Sequence, residues 1–546
     1  MKDKSLLLSS VFKPFGVNDQ YGREENKAEL LITQVTRVQG IFSPRVWCSN
    51  LGLHLIGANV DIPTTIMEWP SIEEFVSELR RGCYAFVGIS FIACTLQKAK
   101  LMVEITRKES PESKIIIGGT GVSIPNIDSY IDVDYICYGD GIRFTRNLLN
   151  KTKKFTFHHP VVPSKSVEYL GIPIPAQSTG MISTGLGCSK GCEFCSTSAF
   201  FDCQYQPFMT KGEEIFELLE YQYKNYSILN YWILDENFLE MKERARELHD
   251  CICNKNNNAE KYNIDMIWSS ADNVSSFDPE YLAEMGIASI WMGFESLHAP
   301  YKKNRGVNFK KLIEDLADFG IITLLSYILF YDYHNEENLN GELDFFYRLG
   351  QAYSQFLPIT AWPGTPLYEK LKNKNRLFDT IPWEEKHGLT TSLHKHPCIP
   401  IWKQQNILLD AFNNEYRING PSTLRIFNIQ MKGYKRFLKS NSKYLRKRIP
   451  FLRKKIKGQI TWVMALEELV DPGHNEMIRE TLENIKSTFG KNIIFEHKES
   501  AKYLVKLALR GISQRNGNLT SMIQPECRIT KYYRGNKIEE QYLRCN

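Results

Sequence analysis

Continuous apolar runs alternating with amphipathic segments set the organisation of this chain. Tyr84-Ala-Phe-Val-Gly-Ile-Ser-Phe91 and Lys114-Ile-Ile-Ile-Gly-Gly119 are apolar at successive positions, as strands covered on both faces are. Thr64 to Trp69 and Asp134 to Tyr138 are shorter strand candidates. Between them, apolar residues recur at helical spacing over 71–81 and 97–108, and Ser71 with Glu73 and Glu74 marks a helix start. Strands separated by helices predict a parallel, doubly wound sheet over about residues 30–150. Ligands of such sheets bind beyond the carboxyl ends of the strands. Those ends carry Ser90, Phe91, Gly118, Gly119, Gly139 and Gly141, a mostly small set that lets a bulky planar ligand reach the backbone.

The strand-then-helix rhythm resumes after residue 175. Candidate strands lie at 181–184, 231–235, 266–270, 289–294, 321–329 and 356–361, with helical periods at 211–223, 242–253, 279–285, 309–319 and 336–349. Six such units are fewer than the eight of a closed barrel, and their polar strand ends are the candidate site. Beyond about residue 376 the chain reads as helical and basic, then ends in a polar stretch rich in Asn, Gly and Arg. No acidic residue stands between Glu415 and Glu467. The basic run 432–457 has three readings: a solvated helix face, a weak contact with an anionic membrane surface, or a nucleic-acid patch.

Composition narrows the class. The 546 residues carry a net charge of +6, and no apolar stretch is long enough to span a bilayer. The N-terminus begins with mixed charge and only a stub of apolar residues, which predicts a cytoplasmic protein. The thirteen cysteines are odd in number and mostly scattered, as free thiols in a reducing compartment are.

Three of them stand together. Cys188, Cys192 and Cys195 are spaced C-x3-C-x2-C directly after the strand candidate at 181–184. Three thiolates can hold three irons of a cubane iron–sulfur cluster and leave the fourth open to a ligand. Two alternatives stay open on the residues alone. A zinc site could take Cys203 as a fourth ligand, although the paired C-x2-C knuckles of zinc ribbons are missing. An electron-carrying ferredoxin would want a fourth nearby cysteine and a shorter chain.

Phe194, the aromatic residue just before the third cysteine, makes this loop resemble that of the radical S-adenosylmethionine superfamily. V-G-I-S-F, I-I-I-G-G and Y-G-D-G before the loop, and Asp235-Glu-Asn-Phe-Leu239, Trp291-Met-Gly-Phe-Glu-Ser296, Lys303-Asn-Arg-Gly-Val307 and Pro363-Gly-Thr-Pro-Leu-Tyr368 after it, extend the resemblance. In this order they are similar to the cobalamin-dependent members of that superfamily over roughly residues 30–430. The resemblance implies an α/β architecture: an N-terminal doubly wound, Rossmann-like cobalamin-binding domain (1–160), a partial (β/α)6 radical-SAM barrel (175–375) and a mostly helical C-terminal extension (376–546).

It also implies cofactors and roles. A [4Fe-4S] cluster would sit on Cys188, Cys192 and Cys195. S-adenosylmethionine would meet Phe194, Asp235, Glu236, Ser270 and Glu295, with Ser269, Ser296, Asn237, Tyr327 and Tyr331 as further candidates. Cobalamin would rest against Ser90, Phe91, Gly118, Gly119, Gly139 and Gly141. The cobalt-ligating Asp-x-His-x-x-Gly pattern is broken, because Gly52 stands two residues before His54; His54 is expected as a packed helix residue. The pair His394 and His396 is expected in a loop near the cavity mouth. The implied reaction is methyl transfer to an unactivated carbon or phosphorus centre of a small molecule or peptide, with electrons from a donor such as flavodoxin or ferredoxin. The alternatives are rearrangement or cyclisation without net methylation, and a non-catalytic cobalamin-binding sensor.

Overall fold

Leu6–Ser10, in the sequence only an apolar stub, is the middle strand of the first sheet. The computed structural model describes residues 5–21, 34–150, 156–164, 167–170, 172–174, 179–255, 262–298, 301–470, 472–514, 524–533 and 536–543. Within that sheet β1 (Leu6–Ser10) pairs in parallel with β2 (Thr64–Glu68) and β3 (Phe86–Ser90). Then come β4 (Lys114–Gly118) and β5 (Tyr135–Ile136) in parallel. Successive residues of β1 serve opposite cores: Leu7 packs on one side with Phe75, Val87 and Met102, Leu6 and Leu8 on the other with Leu53 and Ile116. Helices α1 (Leu51–Ala58) and α4 (Gly141–Leu148) cover the second side. Helices α2 (Ile72–Arg81) and α3 (Leu96–Glu109) cover the first. The sheet is thus doubly wound, as the continuous apolar runs require.

The second sheet has six parallel strands in sequential order: β6 (Thr179–Ile182), then, beyond a short hairpin of β7 (Gly185–Gly187) and β8 (Tyr205–Pro207), β9 (Asn230–Ile233), β10 (Asn263–Trp268), β11 (Ser289–Glu295), β12 (Ile322–Leu329) and β13 (Tyr353–Pro358). Pro163–Ser164 adds an antiparallel pair at one edge. Sequential order with right-handed crossovers puts the connecting helices on one side. There lie α6 (Gly212–Tyr226), α7 (Lys242–Lys255), α8 (Pro279–Met285), α9 (Phe309–Asp318) and α10 (Glu336–Tyr347), over one large core. The hairpin of β7 and β8 holds α5 (Ser196–Phe200). Residues on the helix side of the strands are sealed, whereas Trp232, Trp268, Trp291, Ser326 and Leu357 on the other parity keep access to solvent. The inner face is therefore the less tightly sealed of the two, with Trp232 and Trp291 packed against the cluster that holds Val35 and Val46.

The last third is helical through α11 (Ile401–Asn419), α12 (Ser422–Leu438), α13 (Lys443–Leu469), α14 (Asn475–Phe489) and α15 (Asn492–Gln514). The basic run is mostly exposed, as a solvated helix face is, with a few members paired or buried. Arg448 is buried against the Tyr262 carbonyl and the Asn263 side chain, Lys432 pairs with Asp318, and Lys455 approaches Asp265 at 3.8 Å. No helix of the described residues is long and apolar enough to cross a membrane. The Asn-, Gly- and Arg-rich stretch at 515–523 and the N-terminal residues 1–4 and 22–33 lie outside the described residues.

The sequence reading of a helical ending misses one element. Strands β14 (Cys527–Tyr533) and β15 (Asn536–Leu543) form a hairpin that returns to the first sheet, β14 running antiparallel to β2. It covers an otherwise open edge, the place where unpaired backbone groups invite wrong partners. Its side chains reach beneath the sheet. Arg528 pairs with the fully buried Glu68 and donates to Ser49 at 2.6 Å. His54 has both ring nitrogens engaged, with Tyr532 at 2.8 Å and Glu68 at 2.9 Å, so it is a packed helix residue. Burial lowers the His54 pKa. Burial acts to raise that of Glu68, but His54 and Arg528 outweigh it and hold the carboxyl at about 2.

Candidate active site

The three-cysteine loop lies across the carboxyl ends of the second sheet. It is pinned after four different strands: Ser189 to Glu240 at 2.7 Å, Lys190 to Asp272 at 3.0 Å, the ring of Phe194 against Tyr301, and the Glu193 carbonyl to the Leu367 amide at 2.9 Å. Inside the loop, Ser198 donates to the Cys188 carbonyl at 2.8 Å and accepts from the Gly191 amide at 3.1 Å; its own amide points at Cys195 Sγ, 3.5 Å away. Gly187 enters the loop at φ +80°, where any Cβ would strike Phe201 at 2.7 Å.

The donor set fits a cluster better than one ion. A tetrahedral zinc bound by thiolates at 2.3 Å draws the sulfurs to about 3.8 Å from each other. Among the described residues, only His249, Cys253 and Glu284 gather three ligand atoms within 4.8 Å; the loop thiols stand wider. Cys203, the fourth ligand that a zinc reading needs, is exposed. Burial pushes the thiols of Cys188 and Cys192 up, and that of Cys195 to about 12, so positive charge from a metal centre is needed to keep them as thiolates.

The predicted carboxylates separate by environment. Asp235 is sealed: its carboxylate accepts from the Thr184 amide at 2.8 Å, the Thr184 hydroxyl, Tyr205 at 2.7 Å and Arg244 at 3.0 Å. It fastens β6 to β9 and has no face left for a ligand. Glu236, next in the chain, is reached by solvent, yet the surrounding protein raises its pKa by desolvation. Glu236 thus keeps the open face that Asp235 lacks. Ser270 caps the short helix after β10 and, with Ser269 and Asn273, converges on the Asn237 side-chain oxygen. These residues shape the wall. Tyr327 lies on the helix side of β12, fully buried with its hydroxyl on Glu342 at 3.0 Å; the inner-face neighbour is Ser326. Tyr331 is buried near Tyr301, and Ser296 bonds Glu342 and Tyr333.

Glu295 arrives by a bulge. The pairing of β11 with β12 shifts between Gly293 and Glu295, and Glu295 takes φ +66°, which re-aims the carboxylate. It pairs there with Lys303, whose ammonium also lies 5.9 Å over the Phe194 ring and acts on Cys192. Lys303 is a site residue that the sequence reading quotes but gives no role; its place in the K-N-R-G motif was the available signal.

The residues predicted at the first sheet's carboxyl edge come together. Ser90, Gly118, Gly119, Gly139 and Gly141 line one cavity of about 270 Å³, closed on the far side by Leu186, Phe200 and Phe201 of the cysteine-loop hairpin. Phe91 lines an adjoining one of about 180 Å³ with Ser90, Glu384 and His387. A third, of about 510 Å³, shares Gly139 and Phe200 and continues the cleft. From the loop after 375, Glu384 and His387 line this cleft. His394 and His396 bond separate backbone carbonyls, those of Ser392 and Tyr331, and do not converge. Gly118 has ordinary backbone angles and open space beyond its Cα, with only Cys137 within reach of a Cβ at 3.5 Å.

No family model matches the chain. It is 24% identical over 235 residues to an uncharacterized methyltransferase of Pyrococcus horikoshii, covering 42% of this chain and 48% of that protein. It is 23% identical over 212 residues to the bacteriochlorophyllide d C-12(1)-methyltransferase of Chlorobaculum tepidum, covering 37% and 44%. The chain spans about half the length of these curated relatives. Among solved structures it is similar to the cobalamin-dependent S-adenosylmethionine radical enzyme OxsB, at 13% identity and a TM-score of 0.41, over 94% of this chain and 80% of that one.

Proposed function

We infer that the chain is a cobalamin-dependent radical S-adenosylmethionine enzyme, most simply a methyltransferase, built as a cobalamin-binding sheet facing an open six-unit barrel. The observation that carries this is the placement of the cysteine loop: it lies on the strand ends of one sheet and closes the cavity on the strand ends of the other. When bound, the cluster and its sulfonium cofactor supply a radical and cobalamin a transferable methyl group. The distant relatives named as methyltransferases support the same reading.

The chain's own residues divide the work of holding and orienting. Cys188, Cys192 and Cys195 would carry three irons. Glu236 would face the methionine ammonium, a charge-assisted contact in a desolvated place. Lys303 with Glu295 would set the charge beside Cys192. The indoles of Trp268 and Trp291, stacked at 5.7 Å on the inner face, would hold an apolar part of the substrate and keep water out.

The test is anaerobic reconstitution with iron, sulfide and hydroxocobalamin, followed by reductant and S-adenosylmethionine. Formation of 5′-deoxyadenosine is expected, and its absence overturns the assignment. Methyl-deuterated cofactor then separates the chemistries, since an unlabelled product would favour rearrangement or cyclisation.

Two substitutions give sharper outcomes. Gly118→Leu puts a side chain into the cavity without backbone strain. Overpacking of 1–3 kcal/mol corresponds to a loss of cobalamin affinity of about tenfold or more, with cluster content unchanged; equal affinity would move the cofactor elsewhere. Glu236→Gln removes the charge and is expected to weaken S-adenosylmethionine binding by about tenfold or more, from the 1.5–3 kcal/mol of a charged hydrogen bond. Equilibrium dialysis with the reconstituted protein measures both.

A further inference from the structure

We propose that His249, Cys253 and Glu284 form a second metal centre, a site for one zinc-type divalent ion outside the cysteine loop. His249 and Cys253 stand four residues apart on α7 and so share one helix face. Glu284 projects from α8 to meet them. His249 Nε2 lies 3.1 Å from Glu284 Oε2 and 3.5 Å from Cys253 Sγ. Bond lengths of about 2.1 Å to nitrogen or oxygen and 2.3 Å to sulfur give tetrahedral edges of about 3.4 and 3.6 Å. Two edges of such a tetrahedron are thus already near their bound lengths, and all three ligand atoms lie within 4.8 Å of one another.

The surroundings are those of a ligand set. Asp250 takes the other imidazole nitrogen, Nδ1, at 3.0 Å, which directs the Nε2 lone pair at the gap between Cys253 and Glu284. A carboxylate behind a ligating histidine fixes tautomer and ring direction. Tyr281 stacks on the same ring at 3.7 Å, and Ser442, the cap of α13, holds the second oxygen of Glu284. His249 and Glu284 are therefore each oriented by a separate partner. His249 and Cys253 are buried and Glu284 is half-buried, and water would supply the fourth ligand.

The proton balance is simple. Burial pushes the Cys253 thiol up to about 12, so the metal-free pocket keeps it protonated. Uptake of one divalent ion forms the metal–sulfur bond and releases that proton to solvent. The bound ion would then join α7, α8 and the start of the basic helix α13.

The experiment uses the full chain with Cys188, Cys192 and Cys195 all replaced by alanine, so that the loop takes up no metal. Elemental analysis after exposure to zinc and dialysis is expected to return one zinc per chain. Cobalt in its place is expected to give a thiolate-to-cobalt absorption band. Cys253→Ser is expected to remove the band, and Glu284→Gln, close to isosteric, to weaken zinc by more than about a hundredfold. Asp250→Asn is expected to cost 10–100-fold, the range for a partner behind a ligand. A parent chain that takes up no zinc overturns the proposal and leaves an imidazole bridging two carboxylates. Zinc retained undiminished in both ligand variants overturns it equally, even if one of them folds poorly.

Discussion

Cys192→Ala, in the full chain reconstituted anaerobically, is expected to yield no 5′-deoxyadenosine above the level of unreconstituted protein. Two thiolates cannot keep a cubane in place on a loop whose other anchors all go to the protein. The thiols are moreover held neutral by burial when no metal stands against them, so partial occupancy gains little. Iron content should fall with the activity, whereas cobalamin uptake by the first sheet should persist, because that cavity meets the hairpin through Leu186, Phe200 and Phe201 and not through Cys192. Cys203→Ala is the matched control. Its sulfur lies near Gly191 but on an exposed turn, and turnover should be unchanged. Turnover surviving Cys192→Ala, or lost with Cys203→Ala, would show that a different set of sulfurs holds the metal.

The largest expected change in stability comes from Arg528→Met. Glu68 has no exposed side-chain surface, and Arg528 supplies its charged partner from 460 residues away. Removing one member of a buried pair typically costs 3–5 kcal/mol, because the remaining charge is left uncompensated. The first unfolding transition of the purified chain should move accordingly, and Glu68→Gln in the same background should recover part of the loss. The pH dependence has a definite sign. Folding lowers the pKa of both Glu68, to about 2, and His54. The unfolded chain therefore binds more protons at these positions as pH falls, and stability declines from near neutrality down through the acidic range. Arg528→Met should flatten the Glu68 part of that decline. A variant within about 0.5 kcal/mol of the parent, the usual effect of a surface change, would mean that the pair is hydrated in solution.

Much of this architecture is written in local pattern. The strands at 64–68, 86–90 and 114–118 and the helices between them follow from apolar runs and from one capping box at Ser71 and Glu74. The six later strands are legible for the same reason, within a few residues at their ends. The central strand Leu6–Ser10 was hidden because five residues without a preceding element look like a stub. The closing hairpin was hidden because its partner is β2, and pairing over hundreds of residues leaves no trace in local periodicity.

The site shows the same division. Cysteine spacing is a local property and places the loop. Which of two adjacent carboxylates turns inward is not, since Asp235 is decided by Arg244, Tyr205 and Thr184, three residues brought from other elements. Tyr327 falls on the outer parity of its strand and Ser326 on the inner one, a two-residue periodicity that strand ends alone do not fix.

Because the first sheet is completed by residues 527–543, its assembly is tied to the order of synthesis. The five parallel strands emerge from the ribosome early, but β2 must wait with a bare side while the entire barrel and helical third are translated. N-terminal domains ordinarily fold first as the chain grows. This one stays unfinished until residues 527–543 have been made, so its closing strand is supplied by a segment synthesised long after the rest of the sheet.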